Sequence, residues 1–112
     1  MNKCIFCQLS LNKSIFLLER DTFFVIKDLY PQDNTHLLFI SKLHIDSLKD
    51  IQSKAEEDIL SDIIVGITQF ANQNQLNHWI TQINTGKESG QKINHIHFHL
   101  ISSSFLDKTF YK

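Results

Sequence analysis

The stretch Asn94-His95-Ile96-His97-Phe98-His99-Leu100-Ile101 alternates imidazole and apolar side chains. Successive side chains of an extended chain point to opposite faces. Residues 94–101 therefore predict a strand with His95, His97 and His99 on one face and Ile96, Phe98 and Leu100 pressed into a core. A half-buried strand with no further task would put Thr, Lys or Glu on its wet side. Three imidazoles in register suit nucleophilic or acid–base chemistry, metal binding, or both.

Working outward, residues 78–84 alternate as a preceding strand. The loop Thr85-Gly86-Lys87-Glu88-Ser89-Gly90-Gln91 joins the two and holds two of the three glycines, where a hairpin connection must turn and a ligand can approach the backbone. Further upstream, Ser53-Lys54-Ala55-Glu56 has the form of a capping box. Behind it Ala55, Ile59, Leu60, Ile63, Ile64, Ile67, Phe70 and Ala71 recur at helical spacing. That helix runs out in Asn72-Gln73-Asn74-Gln75. Gly66 inside it costs about 1 kcal/mol relative to Ala and marks close packing. The N-terminal part predicts strands over 15–18, 23–26 and 35–40, with a polar turn at 19–22 and a loop at 28–34 around the one proline. A helical turn is expected over 8–11 and a short helix or turn over 44–51. The order β-β-β, long helix, β-β is α+β: an antiparallel five-stranded sheet with one long helix packed on it and a short N-terminal helical turn.

The 112 residues make one domain, 1–112, with a C-terminal tail at 101–112; 42% hydrophobic residues and nine Phe supply its core. A net charge of −1, mixed along the chain, gives no broad surface for a nucleic-acid polymer or an acidic membrane. Any anionic ligand must be held by local groups. No apolar run approaches the roughly 20 residues of a membrane span, and Met1-Asn2-Lys3 meets Cys4 with no apolar leader segment. A cytoplasmic protein is the expectation. Cys4 and Cys7, the only cysteines, then read as a metal half-site or redox pair in preference to a disulfide. A redox Cys-x-x-Cys should follow a strand within a βαβ unit, and this pair starts the chain, which disfavours redox chemistry.

His-x-His strands also occur in amidohydrolase barrels and cupins, but those need about 250 residues or about eight strands. Asn84 and Gly90-Gln91 bring neutral amides and backbone N–H groups beside the histidines. That setting suits a phosphate better than a carboxylate-held hydrolytic metal. A neutral imidazole can attack phosphorus while a neighbouring one stabilises charge.

His95-Ile96-His97-Phe98-His99-Leu100-Ile101 resembles the His-φ-His-φ-His-φ-φ signature of the histidine triad (HIT) family. The likeness extends over residues 4–101, through Asp28-Leu29-Tyr30-Pro31, the segment from Thr35-His36 to Lys42-Leu43-His44-Ile45, and Asn84 to Gly90-Gln91. The resemblance implies a nucleotide-binding hydrolase or nucleotidyl transferase acting on the α-phosphate of a nucleoside phosphoramidate or dinucleoside polyphosphate. It implies His97 as the nucleophile that forms a nucleotidyl-histidine, His99 at a phosphate oxygen, and Gln91 at the phosphate or leaving-group oxygen. Asn84 would meet the phosphate, Asp28 the ribose hydroxyls, and Leu29 the base, a purine in expectation. His36 resembles the family's additional active-site histidine. The Cys-x-x-Cys resembles that of zinc-containing bacterial members, which implies a structural zinc on Cys4, Cys7, His44 and His95, and no organic cofactor. A homodimer is implied too. The alternative is a zinc-stabilised nucleotide-binding or interaction module with little catalysis. Two departures stand out. Lys92 takes a place where many relatives have a small hydroxyl residue and is expected to face solvent. Ser102-Ser103-Ser104 replaces the usual Pro-Arg after the triad.

Overall fold

The computed structural model describes residues 4–106. Its longest element, α2 (Lys54–Gln73), begins where the capping box places it. Ser53 Oγ accepts the Glu56 N–H at 3.1 Å, and the Glu56 carboxylate accepts the Ser53 N–H at 3.0 Å, satisfying amides left without helical partners. At the other end the Asn74 side chain donates to the Phe70 carbonyl, and Gln75 adopts φ 59°, closing the helix in the left-handed region. Among the described residues no helix is long and apolar enough to cross a membrane.

The strands are β1 (Leu18–Glu19), β2 (Phe23–Lys27), β3 (Thr35–Ser41), β4 (Ile80–Gln82) and β5 (His97–Ser102). They form one antiparallel sheet in the order β1-β2-β3-β5-β4. The expected α+β architecture is therefore present. Strand β3 is central and buried at all seven positions, as a strand covered on both faces must be. On one face Val25, Leu37, Phe39, Phe98 and Leu100 pack against Ile59, Ile63, Ile67 and Phe70 of α2. On the other, Phe24, Ile26, Leu38 and Ile40 are covered by Phe6 of the short helix α1 (Ile5–Leu9) and by Phe16, stacked on Phe24 at 4.5 Å.

Three local expectations shift. Residues 15–18 do not form a strand. A 3-10 turn spans Lys13–Ile15 and only Leu18–Glu19 pairs, because Phe16 leaves the strand line to cover Phe24. Helix α1 starts inside the cysteine pair instead of after it. Strand β5 begins at His97, not Asn94. The chain bends at 93–95, with the His95 N–H on the Ile93 carbonyl, and the Ile96 N–H goes to Ile45. His95 is thereby taken off the face that His97 and His99 share. Of the tail, Ile101 and Ser102 belong to β5 and Leu106 is buried; residues 107–112 lie outside the described part.

A Cβ on Gly66 would meet the tip of the Phe23 ring at 2.4 Å, inside contact distance, so helix and sheet approach here as only glycine permits. Gly66→Ala should lower the melting temperature. The overpacking cost of about 1–3 kcal/mol exceeds or cancels the helix-propensity gain of about 1 kcal/mol. A raised melting temperature would show that the ring yields freely.

Candidate functional site

Strands β3 and β5 lie side by side in a register that pairs Ile40 with His97, Leu38 with His99 and His36 with Ile101. His36, His97 and His99 therefore share the face away from α2. Each proton on these rings can be placed from its partner. The His97 Nδ1–H donates to the His95 carbonyl at 2.8 Å, which leaves the lone pair on Nε2. The backbone N–H of Gln32 donates to His36 Nδ1 at 3.0 Å, so the proton of His36 sits on Nε2. That Nε2–H reaches His99 Nδ1 at 2.8 Å. The proton of His99 is consequently on its own Nε2.

Burial is the main cause of depressed pKa values at His36, His97 and His99. His99 is pushed down to about 4, with the nearby His97 and His36 rings adding to the effect and Asp28 opposing it. Asp28 Oδ2 lies 3.3 Å from His36 Nε2, but desolvation outweighs its pull. This contact is a polar interaction with a neutral ring at neutral pH, not an ion pair.

The His97 and His99 rings border a cleft of about 450 Å³. One wall is α1, through Ile5, Phe6 and Leu9; Phe6 meets the His97 ring edge-on at 4.9 Å. A second is the end of β2 and its following loop, with Asp28, Leu29, Tyr30 and Gln32. Leu29 and Tyr30 are each 86% exposed, apolar surfaces held open at the rim. A third is the β4–β5 connection, with Asn84, Gly90, Lys92 and Ile93. A larger groove, about 580 Å³, runs between the β1–β2 turn and α2 but contains no histidine.

Two expected phosphate contacts are placed differently from each other. Asn84 lines the cleft, with Nδ2 donating to the Ser89 carbonyl and Oδ1 accepting from Gln82. Gln91 does not line it. Its Oε1 accepts the Gly86 N–H, and its Nε2 donates to the carbonyls of Asp46 and Ile93. That buried amide braces the loop.

His95 belongs to a separate cluster. The ligand atoms of Cys4, Cys7, His44 and His95 all lie within 4.8 Å of one another. Cys4 Sγ is 3.3 Å and Cys7 Sγ 3.5 Å from His95 Nδ1, Cys7 Sγ is 3.2 Å from His44 Nδ1, and the two Nδ1 atoms are 3.1 Å apart. Tetrahedral zinc, with Zn–N of about 2.0–2.1 Å and Zn–S of about 2.3 Å, separates its ligand atoms by about 3.3–3.8 Å. The outer partners fix the tautomers to match. His95 Nε2 donates to the Ser41 carbonyl at 2.7 Å, and His44 Nε2 to Asp46 at 2.6 Å. Both Nδ1 lone pairs therefore converge on the two sulfurs, a donor set with capacity for a zinc-type cation.

Sequence reasoning missed Phe6, which covers His97, and the outer partners Asp46 and the Ser41 carbonyl. Asp46 carried a signal, two residues after His44. A carbonyl partner carries none. Gln32 was missed as well, because its contribution is a backbone N–H.

A family model described as the scavenger mRNA decapping enzyme C-term binding family matches residues 3–110. The chain is 39% identical over 93 residues to an uncharacterized HIT-like protein of Chlamydia trachomatis, covering 80% of this chain and 81% of that one. It is 28% identical over 90 residues to the purine nucleoside phosphoramidase of Escherichia coli, covering 79% and 75%. Among solved structures, a histidine triad protein from Clostridium difficile matches with a TM-score of 0.82 and 32% identity, covering 96% of this chain and 97% of that one. A zinc-bound histidine triad family protein from Mycobacterium smegmatis matches at 0.75 and 26%, covering 91% and 76%. The chain belongs to the histidine triad family.

The depressed pKa values carry a sign. The folded protein binds fewer protons than the unfolded chain between pH 6.5 and the folded values. Stability from these rings is present above pH 6.5 and lost as pH falls through the folded pKa values, about 4 for His99. Ring NMR should place the His99 midpoint near 4, with the unfolding midpoint in urea falling over the same window. A His99 midpoint near 6.5 would contradict the burial argument.

Proposed function

We propose that the protein is a nucleotide-binding hydrolase or nucleotidyl transferase that works through a covalent nucleotidyl-His97. The observation that carries this reading is the fixed tautomer of His97. With Nδ1–H tied to the His95 carbonyl, Nε2 keeps its lone pair, and burial holds the ring neutral near pH 7. A neutral, oriented imidazole is the form that attacks. The substrate class is a nucleoside phosphoramidate or dinucleoside polyphosphate; the name of the E. coli relative, a purine nucleoside phosphoramidase, supports the first of these. In the first step the Nε2–P bond forms and the bond from the α-phosphorus to the leaving group breaks. Water or another acceptor then takes the nucleotidyl group from His97.

His99 Nε2–H, held by the relay from Gln32 through His36, is the donor for a phosphate oxygen. Asn84 supplies a further amide at the cleft. Asp28 accepts the ribose hydroxyls: each of its oxygens has one protein contact, and a carboxylate has about four acceptor positions. Leu29 and Tyr30 bracket a base, a purine by the same likeness. Gln91 serves by holding the β4–β5 loop, and His36 by orienting His99.

Zinc on Cys4, Cys7, His44 and His95 is structural in this reading; it ties α1, which covers His97, to the bend before β5. The protein works as a single domain in the cytoplasm. It pairs as a homodimer through the open edge of β4, where Ile80 is 56% exposed, and needs no nucleic-acid polymer or membrane.

His97→Asn should cut turnover of an adenosine phosphoramidate by at least about a thousandfold while AMP affinity changes little. Unchanged turnover would end the covalent mechanism. Metal analysis of the purified protein should give about one zinc per chain, with zinc and melting temperature both falling in Cys4→Ser. A metal-free protein of full stability would refute the zinc assignment.

A further inference from the structure

The cleft has an uneven charge distribution that the catalytic reading leaves unused. The side chains lining the cleft contain two lysines, Lys27 and Lys92, and one carboxylate, Asp28. Asp28 is engaged by the Tyr30 N–H and by His36. Lys27 has a contact of its own within the protein. Lys92 is exposed and has no hydrogen bond or ion pair among the described residues.

Lys92 is also held in place through its backbone. It lies between Gln91, whose amide is anchored at Gly86, Asp46 and Ile93, and Ile93, which packs with the Phe6 and Leu38 cluster. Gly90, two residues before it, adopts φ 90°, a left-handed turn that fixes where the chain emerges. The wall with Asp28 also carries Lys27 and is balanced in charge, whereas the wall with Lys92 is cationic and has no lining carboxylate. The reading above gives the α-phosphate to His99 and Asn84, both of which line the cleft, so the anion left for Lys92 is the group beyond the α-phosphorus.

We propose that Lys92 is a specificity residue that selects an anionic, phosphate-terminated leaving group over a cationic amine. The inference rests on the nucleotidyl-transfer reading above. When the bond from the α-phosphorus to the bridging oxygen of a polyphosphate breaks, the departing chain keeps the electron pair and leaves as an anion. An ammonium near that oxygen stabilises the departing charge. A departing amine must instead take up a proton, and if its side chain is cationic it is repelled. Dinucleoside polyphosphates are then the favoured substrates, and phosphoramidates of cationic amines the disfavoured ones.

The test compares kcat/KM for diadenosine tetraphosphate with that for an adenosine phosphoramidate bearing an aminoalkyl leaving group, using the full-length protein. Lys92→Ser should lower the tetraphosphate-to-phosphoramidate ratio about tenfold, Lys92→Glu should lower it further, and Lys92→Arg should keep it. Raising the salt concentration should lower the ratio in the wild type and leave it nearly flat in Lys92→Ser. If Lys92→Ser and Lys92→Glu keep the wild-type ratio, or the wild type turns over only the phosphoramidate, this proposal fails and the catalytic reading stands. If the wild type turns over neither, both fail.

Discussion

The antiparallel pairing of β3 with β5 is the constraint on which the rest depends. Its register puts Ile40 opposite His97 and Leu38 opposite His99. It also lets His36, two positions from Leu38 on the same face, reach His99 diagonally. Because side chains alternate, a slip of one residue would turn His97 and His99 into the α2 core and bring Phe98 and Leu100 out. That exchange is heavily opposed, since Phe98 and Leu100 are buried against Phe39, Ile63 and Ile67. The apolar face therefore fixes the chemical face. The packing of α2, secured by its capping box and by Gly66 against Phe23, lies on the far side of the sheet from every histidine it positions.

The bend at 93–95 divides labour among histidines that look equivalent in sequence. His95 is fully buried, with Nε2 on the Ser41 carbonyl and Nδ1 among Cys4, Cys7 and His44. Its own carbonyl accepts from His97. One residue thus faces the metal-type cluster with its ring and orients the adjacent histidine with its backbone. Phe6 couples the two centres again. It lies between the cysteines in sequence, and its ring meets both His95, at 5.8 Å, and His97. Displacing α1 would loosen the cluster and uncover the cleft together.

The long helix was legible to its first residue, because a capping box and a 3.6-residue apolar stripe are local signals. The central strand was legible for the same reason. Short segments were not: residues 15–18 have strand composition, but Phe16 leaves the sheet to satisfy a distant partner, Phe24. The alternation of His95, His97 and His99 suggested one continuous face. The strand starts later because the Ile96 N–H bonds the Ile45 carbonyl and not a strand neighbour, a long-range preference that no period of two reveals. Gln91 was legible as a polar loop residue, but its partners are carbonyls and an N–H, invisible to any reading of side-chain types. Lys92 sits against the cleft while remaining exposed, so an expectation of solvent and an edge position on the site are both met.

The electrostatics of the cleft follow from one backbone amide. If Gln32 did not donate to His36 Nδ1, His36 could hold its proton there and accept from His99, reversing the relay and leaving His99 with a lone pair on Nε2 in place of a proton. A charged His36 would remove the ambiguity, and Asp28 is close enough to favour it. Burial prevents this, since the cost of desolvating an imidazolium exceeds what a single carboxylate at 3.3 Å returns. The site is thus built from neutral rings whose proton positions are set by the main chain. A lone pair on His97 Nε2 and a donor proton on His99 Nε2 coexist at neutral pH without either ring having to titrate.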